Sequence, residues 1–264
     1  MKRYLNSYQF WRNNGLTVAL LGLFGASLLG HSIAGMADYN EGQRDHGQAA
    51  VGYGAYLRTG AFVESVFENW ESEFLQMGVY VLLTAYLFQK GSAESRDPDG
   101  EAEADVDPRD AGERAAAPWP VRRGGVVLKL YENSLALALL ALFALSFVLH
   151  AAGGARAYSE EQQAHGGAAV SLLGYLATAR FWFESLQNWQ SEFLSIAVLV
   201  VLSIFLRQRD SPESKKVAAP HGATGAWAAG PARGGCNDLC VARLRWRGTS
   251  PDPRRLGEHR GCCV

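Results

Sequence analysis

The chain has 264 residues and a formal net charge of -1, and 48% of its residues are hydrophobic. Its mean hydropathy of -0.07 is that of an ordinary soluble protein, but this average conceals a separation of apolar and charged segments. The balanced charge gives no support for nucleic-acid binding. All four cysteines lie within residues 236–263, which excludes thiol chemistry from the rest of the chain.

Four apolar segments follow one another along the chain. Residues 16–36 and 135–154 contain no Asp, Glu, Lys or Arg, and shorter apolar runs occupy residues 74–88 and 193–206. A tryptophan before each shorter run extends it to roughly 20 residues, the length needed to cross ~30 Å of hydrocarbon. Helices of a soluble bundle normally keep a polar face. We therefore predict an all-α integral membrane protein with four transmembrane helices.

The second half of the chain repeats the first at an offset of 119 residues. NWESEFL at residues 69–75 recurs as NWQSEFL at residues 188–194, and such internal repeats indicate a duplicated structural unit. Each repeat has an apolar span, a polar stretch, and an amphipathic interfacial segment that continues as one helix into a second span. Since two spans per repeat preserve orientation, we expect two parallel two-helix repeats about a pseudo-two-fold axis.

The repeat divides the chain into four predicted parts. Residues 1–90 form the first two-span repeat, and residues 122–210 form the second. Residues 91–121 are acidic and rich in Ala, Pro and Gly, which predicts a disordered cytoplasmic linker. Residues 211–264 are predicted to be a disordered C-terminal tail, and the Arg- and Cys-rich composition of its end would also arise from a shifted reading frame.

Basic residues are concentrated on one side of the predicted spans, including Lys2, Lys90, Arg122 and Lys216, whereas the loops at residues 37–60 and 155–179 have few. The positive-inside rule then places both termini and the linker in the cytoplasm. Trp70 and Trp189 are expected to anchor the spans at the outer interface of the membrane, where amphipathic rings are favoured.

Ionisable residues within or beside a membrane span are candidates for function. His31 and His150 lie near the outward ends of the first and third spans. Glu73 and Glu192 lie near the outward starts of the second and fourth spans, at the same side of the membrane. Antiparallel packing predicts a His31–Glu73 pair and a His150–Glu192 pair, which we interpret as buried hydrogen bonds. The alternatives are that the pairs bind a metal, that the two histidines ligate a haem, or that the pairs move protons or ions. Other polar residues shared by both halves are Tyr39 with Tyr158, and His46 with His165, whose His-Gly sequences are expected to shape turns.

The NWESEFLQ segment is followed by an apolar span and then by FQKGSAESR, and the second half matches it with NWQSEFL, an apolar span and RQRDSPESKK. These segments resemble a family of uncharacterised bacterial multi-pass membrane proteins, a domain of unknown function, over roughly residues 1–224. The resemblance implies a bacterial inner-membrane protein and supplies no activity.

No phosphate-binding loop, catalytic triad or zinc-protease motif occurs in the chain, so no catalytic residue and no cofactor are predicted. We expect a non-enzymatic membrane protein with a structural, stress-related or partner-binding role and with the lipid bilayer as its only predicted partner. The alternatives are a small transporter or channel, and a haem- or metal-binding membrane redox protein.

Reporter fusions test the predicted topology. Fusions after Lys90 and after Lys216 should report the cytoplasm, and a fusion near Gly47 should report the other side, because basic residues are retained on the cytoplasmic face. Paired alkaline phosphatase and fluorescent-protein fusions measure this. A non-cytoplasmic signal at Lys90 would contradict the four-span topology.

Overall fold

The computed structural model describes residues 2–97 and 117–225, with side chains from residue 9 onward. These residues form eight helices and no strand, which confirms the all-α fold class. The long helices are α1 (Lys2–Asp45), α3 (Gly60–Tyr86), α6 (Ser134–Ala164) and α8 (Ala179–Phe205). The short helices are α2 (Tyr53–Tyr56), α4 (Trp119–Arg123), α5 (Gly125–Glu132) and α7 (Leu172–Leu176).

Three of the long helices are long and apolar enough to cross a membrane: α1 from Gln9 onward, α6 and α8. The predicted second span lies in α3, which is not among them. The first half of α3 carries four glutamates, and charged residues are costly in a membrane-spanning helix. As predicted, α3 and α8 each run as one helix through the amphipathic segment and the apolar run that follows it.

Helices α1 and α6 are longer than the predicted spans. Polar loops were expected from residues 37 and 155, but the helices continue to Asp45 and Ala164. These polar extensions contain no proline, so nothing in them removes a backbone hydrogen bond of the helix. Both helices therefore extend beyond their apolar segments, and only short connections lead from them to α2 and α7.

The connections after α1 and after α6 are closed by equivalent hydrogen bonds. The Asn40 side-chain amide donates to the Val51 carbonyl at 3.0 Å and accepts from the Val51 amide at 2.7 Å. The Ser159 hydroxyl makes the same two contacts with Val170, at 3.1 and 2.9 Å. These contacts, 119 residues apart, turn the chain back so that α2 and α7 lie beside the long helices.

The described residues form two compact units. The first comprises those within Met1–Tyr86 and Asp107–Ala197, and the second those within Leu87–Val106 and Val198–Val264. In the first unit, α3 packs most extensively against α6. A Cβ atom added at Gly153 would lie 2.5 Å from the Glu64 amide nitrogen, and one at Gly60 would lie 2.6 Å from the Gly153 carbonyl oxygen. Small residues permit such close helix contact, which brings the polar half of α3 onto α6.

The second unit is organised around the buried side chain of Lys215, which is 1% exposed. Four backbone carbonyl oxygens, those of Gly91, Ile204, His221 and Ala223, lie within hydrogen-bond distance of its ammonium nitrogen and share its three N–H donors. Residues 91–97 and 211–225 belong to the segments predicted to be disordered, and in the structure they contain turns and bends. The buried ammonium group of Lys215 contacts carbonyl oxygens in both segments. The rest of the predicted linker and tail lies outside the described residues or, at residues 117–121, leads into α4.

Replacing Lys215 tests this arrangement. Lys215→Met keeps an apolar stem but leaves four carbonyls without their donor, so the second unit should lose about 1–3 kcal/mol of stability. Hydrogen exchange of the full-length protein measures this as faster exchange over residues 87–97 and 204–225. The control is Lys216→Met, since Lys216 is exposed. Equal exchange in the two variants would show that the ammonium group does not order these segments.

Candidate metal centre

A cluster of ionisable side chains lies between α3, α6, α7 and α8 in the first unit. At its centre, His150 Nδ1 lies 2.7 Å from Glu71 Oε2, and both side chains are 0% exposed. The Trp189 indole donates to the other Glu71 oxygen at 3.0 Å. Since both Glu71 oxygens act as acceptors, His150 Nδ1 carries the hydrogen and donates it, which in the neutral ring leaves the lone pair on Nε2.

The Nε2 atom of His150 faces two further carboxyl groups. It is buried, has no hydrogen-bond partner among the described residues, and lies 3.7 Å from Glu184 Oε2. One ligand atom from each of Glu64, His150 and Glu184 lies within 4.8 Å of the others. Glu64 is buried and the Glu184 side chain is 15% exposed. Three potential metal ligands from α3, α6 and α8 therefore converge on one point.

The Tyr175 hydroxyl joins the two carboxyl groups. It lies 2.9 Å from Glu64 Oε1 and 2.5 Å from Glu184 Oε2. Burial, together with both neighbouring carboxylates, raises the pKa of the Tyr175 phenol, so it remains a donor. Burial, reinforced by the Glu184 carboxylate, raises the pKa of Glu64 to about 7. Because one hydroxyl hydrogen cannot serve both acceptors, Glu64 is the carboxyl group placed to share a proton.

The rim of the cluster provides incomplete charge compensation. Arg180 Nε donates to Glu184 Oε1 at 2.8 Å and the same guanidinium also pairs with Glu161. Asn188 donates to Glu68 Oε1 at 2.5 Å. The carboxyl groups of the cluster outnumber its basic groups, and a buried excess of negative charge favours a cation. The carboxyl groups are those of Glu64, Glu68, Glu71 and Glu184, and the basic groups are those of His150 and Arg180.

A cleft of about 600 Å³ connects this cluster to the ends of α1 and α6. Its lining includes Glu64 and Arg180 from the cluster, and Asp38, His46 and Glu160 from the ends of α1 and α6. Acidic groups along a cleft raise the local concentration of cations. The cleft therefore offers a cation a polar route to Glu64.

The residues present fit a metal ion. One imidazole and two carboxylates form a ligand set for divalent first-row transition metals. Metal-binding histidines commonly donate their other ring N–H to a carboxylate, which fixes the orientation of the ring, and His150 Nδ1 makes such a bond to Glu71. The side chains of Glu64, His150 and Glu184 can hold an ion, and they do not form a pair of nucleophile and general base.

The structure pairs the predicted site residues differently. His31 Nε2 lies 3.0 Å from Ser65 Oγ, and His150 bonds to Glu71 in place of Glu192. Glu192 accepts instead through its backbone carbonyl, from the Gln76 side chain at 2.7 Å. The reason is that α3 packs on α6, and residues two apart on a helix point in different directions. Glu71 is therefore buried while Glu73 is exposed.

The predicted interface tryptophans make contacts within the helical unit. The Trp70 ring lies 5.8 Å from the Phe24 ring, and the Trp189 ring lies 6.2 Å from the Phe143 ring. The two contacts are 119 residues apart. Only Trp189 also donates to Glu71, which gives it a part in the cluster that the sequence did not indicate.

The carboxyl groups of the cluster, which the sequence analysis missed, lie where the two halves differ. At the offset of 119 residues, Glu64 corresponds to Phe183, Ser65 to Glu184, and Glu71 to Gln190. A search for shared residues passes over such positions. Comparing the differences between the halves, and asking which of them add charge to an otherwise repeated segment, would have found them.

Removing one hydroxyl group tests the cluster. Tyr175→Phe leaves two buried carboxyl groups without a common partner, so it should cost about 1–3 kcal/mol. The matched control is Tyr56→Phe, since Tyr56 is the buried equivalent in the first half and its hydroxyl bonds to no other described residue. Thermal unfolding of the full-length protein in detergent measures the difference. Equal losses in both variants would contradict the role of Tyr175.

Comparison with known proteins places the chain in a family. Searches of curated proteins and of solved structures gave no match. The family profile for a domain of unknown function, DUF6766, matches residues 7–226. This match includes every residue of the cluster as well as Lys215, and it confirms the resemblance to an uncharacterised family. The chain therefore belongs to the DUF6766 family.

Proposed function

We propose that this protein is a multi-pass membrane protein that binds one divalent first-row transition-metal ion through Glu64, His150 and Glu184. The observation that carries the proposal is the buried Nε2 atom of His150, which faces two carboxyl groups while Nδ1 bonds to Glu71. A buried imidazole nitrogen without a hydrogen-bond partner is unfavourable. Coordination to a metal would satisfy it.

The charge balance of the cluster supports the same proposal. Desolvated carboxylates repel one another and are stable only when paired, protonated or bound to a cation. Arg180 pairs with Glu184 on its outer side, which leaves Glu64 and the inner oxygen of Glu184 facing His150. A divalent ion would neutralise this excess. Burial and the neighbouring Glu184 carboxylate raise the pKa of Glu64, the direction expected where negative charge is poorly compensated.

The ligand types favour some metals over others. Mg²⁺ and Ca²⁺ prefer oxygen ligands alone, and Cu⁺ prefers sulfur. A mixed set of imidazole and carboxylates suits Mn²⁺, Fe²⁺ or Zn²⁺. A haem is disfavoured, because a porphyrin bound to His150 would need open space between α3 and α6. These helices are in contact at Gly60 and Gly153, and Gly153 lies within one turn of His150.

We further propose that the metal centre lies in a duplicated four-span bundle of a bacterial inner membrane, with both termini in the cytoplasm. The apolar second half of α3 would complete the fourth crossing, while its polar half lies against α6 and α8. The recurrence of the Asn40–Val51 closure as Ser159–Val170 supports the duplication. The role proposed for the protein is metal binding without catalysis.

Metal titration tests the proposal. Full-length protein in detergent should bind one Mn²⁺ ion tightly. Binding is measured as the loss of the electron paramagnetic resonance signal of free Mn²⁺. Glu71→Gln should weaken binding by about 10–100-fold, the usual effect of changing a second-shell partner, and Glu184→Gln should weaken it at least as much. The matched control is His31→Gln, the equivalent histidine of the first half, which should bind Mn²⁺ like the wild type.

Two results would overturn the proposal. One is that the wild-type protein binds no Mn²⁺. The other is that Glu184→Gln and His31→Gln bind it equally well, because binding would then take place outside the cluster. Thermal unfolding with and without Mn²⁺ shows that each variant is folded, and bound metal should raise the melting temperature of the wild type.

A further inference from the structure

Two histidines end α1 and α6 in the same way. His46 and His165 follow the last residues of these helices, and each is followed by a glycine in the left-handed region, Gly47 at φ 69° and Gly166 at φ 79°. This conformation is typical of the residue that terminates a helix, and glycine adopts it without steric cost. The sequence predicted the turns, but this geometry also fixes the positions of both imidazoles.

The hydrogen bonds of these histidines determine which nitrogen is available. His46 Nδ1 lies 2.8 Å from the Gly42 carbonyl oxygen, and His165 Nδ1 lies 2.9 Å from the Glu161 carbonyl oxygen. A carbonyl only accepts, so each Nδ1 carries the hydrogen and each neutral ring keeps its lone pair on Nε2. Metal-binding histidines commonly donate their other ring N–H to a backbone carbonyl in this way.

The two rings meet although they belong to different halves of the chain. Their centroids are 5.5 Å apart with an interplanar angle of 79°, and both residues are exposed. A hydrogen bond from Tyr39 to Glu160, at 3.5 Å, also links α1 to α6 near this end. Exposed rings gain little hydrophobic stabilisation from contact with each other. Burial of apolar surface therefore does not explain the contact between the two imidazoles.

We propose that His46 and His165 form a second transition-metal site, with their Nε2 atoms as ligands and water completing the coordination. Imidazole ligands without carboxylates favour Cu²⁺, Ni²⁺ and Zn²⁺ over Mn²⁺, Mg²⁺ and Ca²⁺. His46 also lines the cleft whose lining includes Glu64, so one of the two ligands borders the same cleft as the buried centre. Delivery of an ion to that centre rests on the proposed function, whereas binding at the two histidines does not.

Copper binding tests the second site. The probe is Cu²⁺ added to full-length protein that carries no histidine tag, with the cysteines alkylated so that thiolates do not compete. The wild-type spectrum should show hyperfine coupling to two imidazole nitrogens. The variants His46→Gln and His165→Gln should each lower the affinity of this site by more than about tenfold, since even second-shell changes cost that much. The control is His221→Gln, which removes an exposed histidine of the second unit and should leave the signal unchanged.

A double variant separates the two sites. Glu64→Gln/Glu184→Gln should abolish Mn²⁺ binding and keep the two-nitrogen Cu²⁺ signal, whereas His46→Gln/His165→Gln should do the reverse. If the two-nitrogen signal is absent from the wild type, or persists in His46→Gln/His165→Gln, the surface site is overturned. If Mn²⁺ binding alone fails, the surface site stands and the proposed buried centre does not.

Discussion

The buried hydrogen bond between His150 and Glu71 is the contact on which the arrangement of the first unit depends. Neither group is exposed, and the loss of either one would leave the other without a partner in a poorly solvated interior, which is strongly destabilising. The contact requires α3 to approach α6 closely, and Gly60 and Gly153 permit that approach. It also turns Nε2 of His150 toward Glu64 and Glu184, so the same bond that stabilises the helix pair orients the candidate ligand.

The protein places this asymmetric cluster on a scaffold whose contacts recur in both halves. The Tyr39 and Tyr56 rings lie 5.7 Å apart, and the Tyr158 and Tyr175 rings lie 5.8 Å apart. Of these four tyrosines, Tyr175 bonds to the carboxyl groups of the cluster, Glu64 and Glu184, whereas Tyr39 bonds to Glu160. The shared residues thus position the helices, and the unshared ones supply the charge. Two similar halves form a single cluster because α3, the second long helix of the first half, packs against α6, the first long helix of the second half.

The polar groups of the first unit range from exposed imidazoles to buried carboxyl groups along one cleft. His46 and His165 present nitrogen ligands at the surface, whereas Glu64 and Glu184 add oxygen ligands in the interior. This difference in ligand type separates the metals that each site would prefer. The proposed ligands of both sites lie in the first unit, whereas in the second unit the buried Lys215 contacts the backbone carbonyls of the turns after α3 and α8.

The sequence by itself determined the helical fold class, three of the four predicted apolar spans and the continuous helices that contain NWESEFL and NWQSEFL. Apolar length and periodicity are local properties of the chain. It also indicated the family and directed attention to His150. It did not determine the partner of His150, since pairing by depth favoured Glu192 and only the contact between α3 and α6 selects Glu71. The convergence of Glu64, His150 and Glu184, the meeting of His46 with His165, and the burial of Lys215 were decided by tertiary structure. Each joins residues far apart in the chain, and their distances depend on how helices pack.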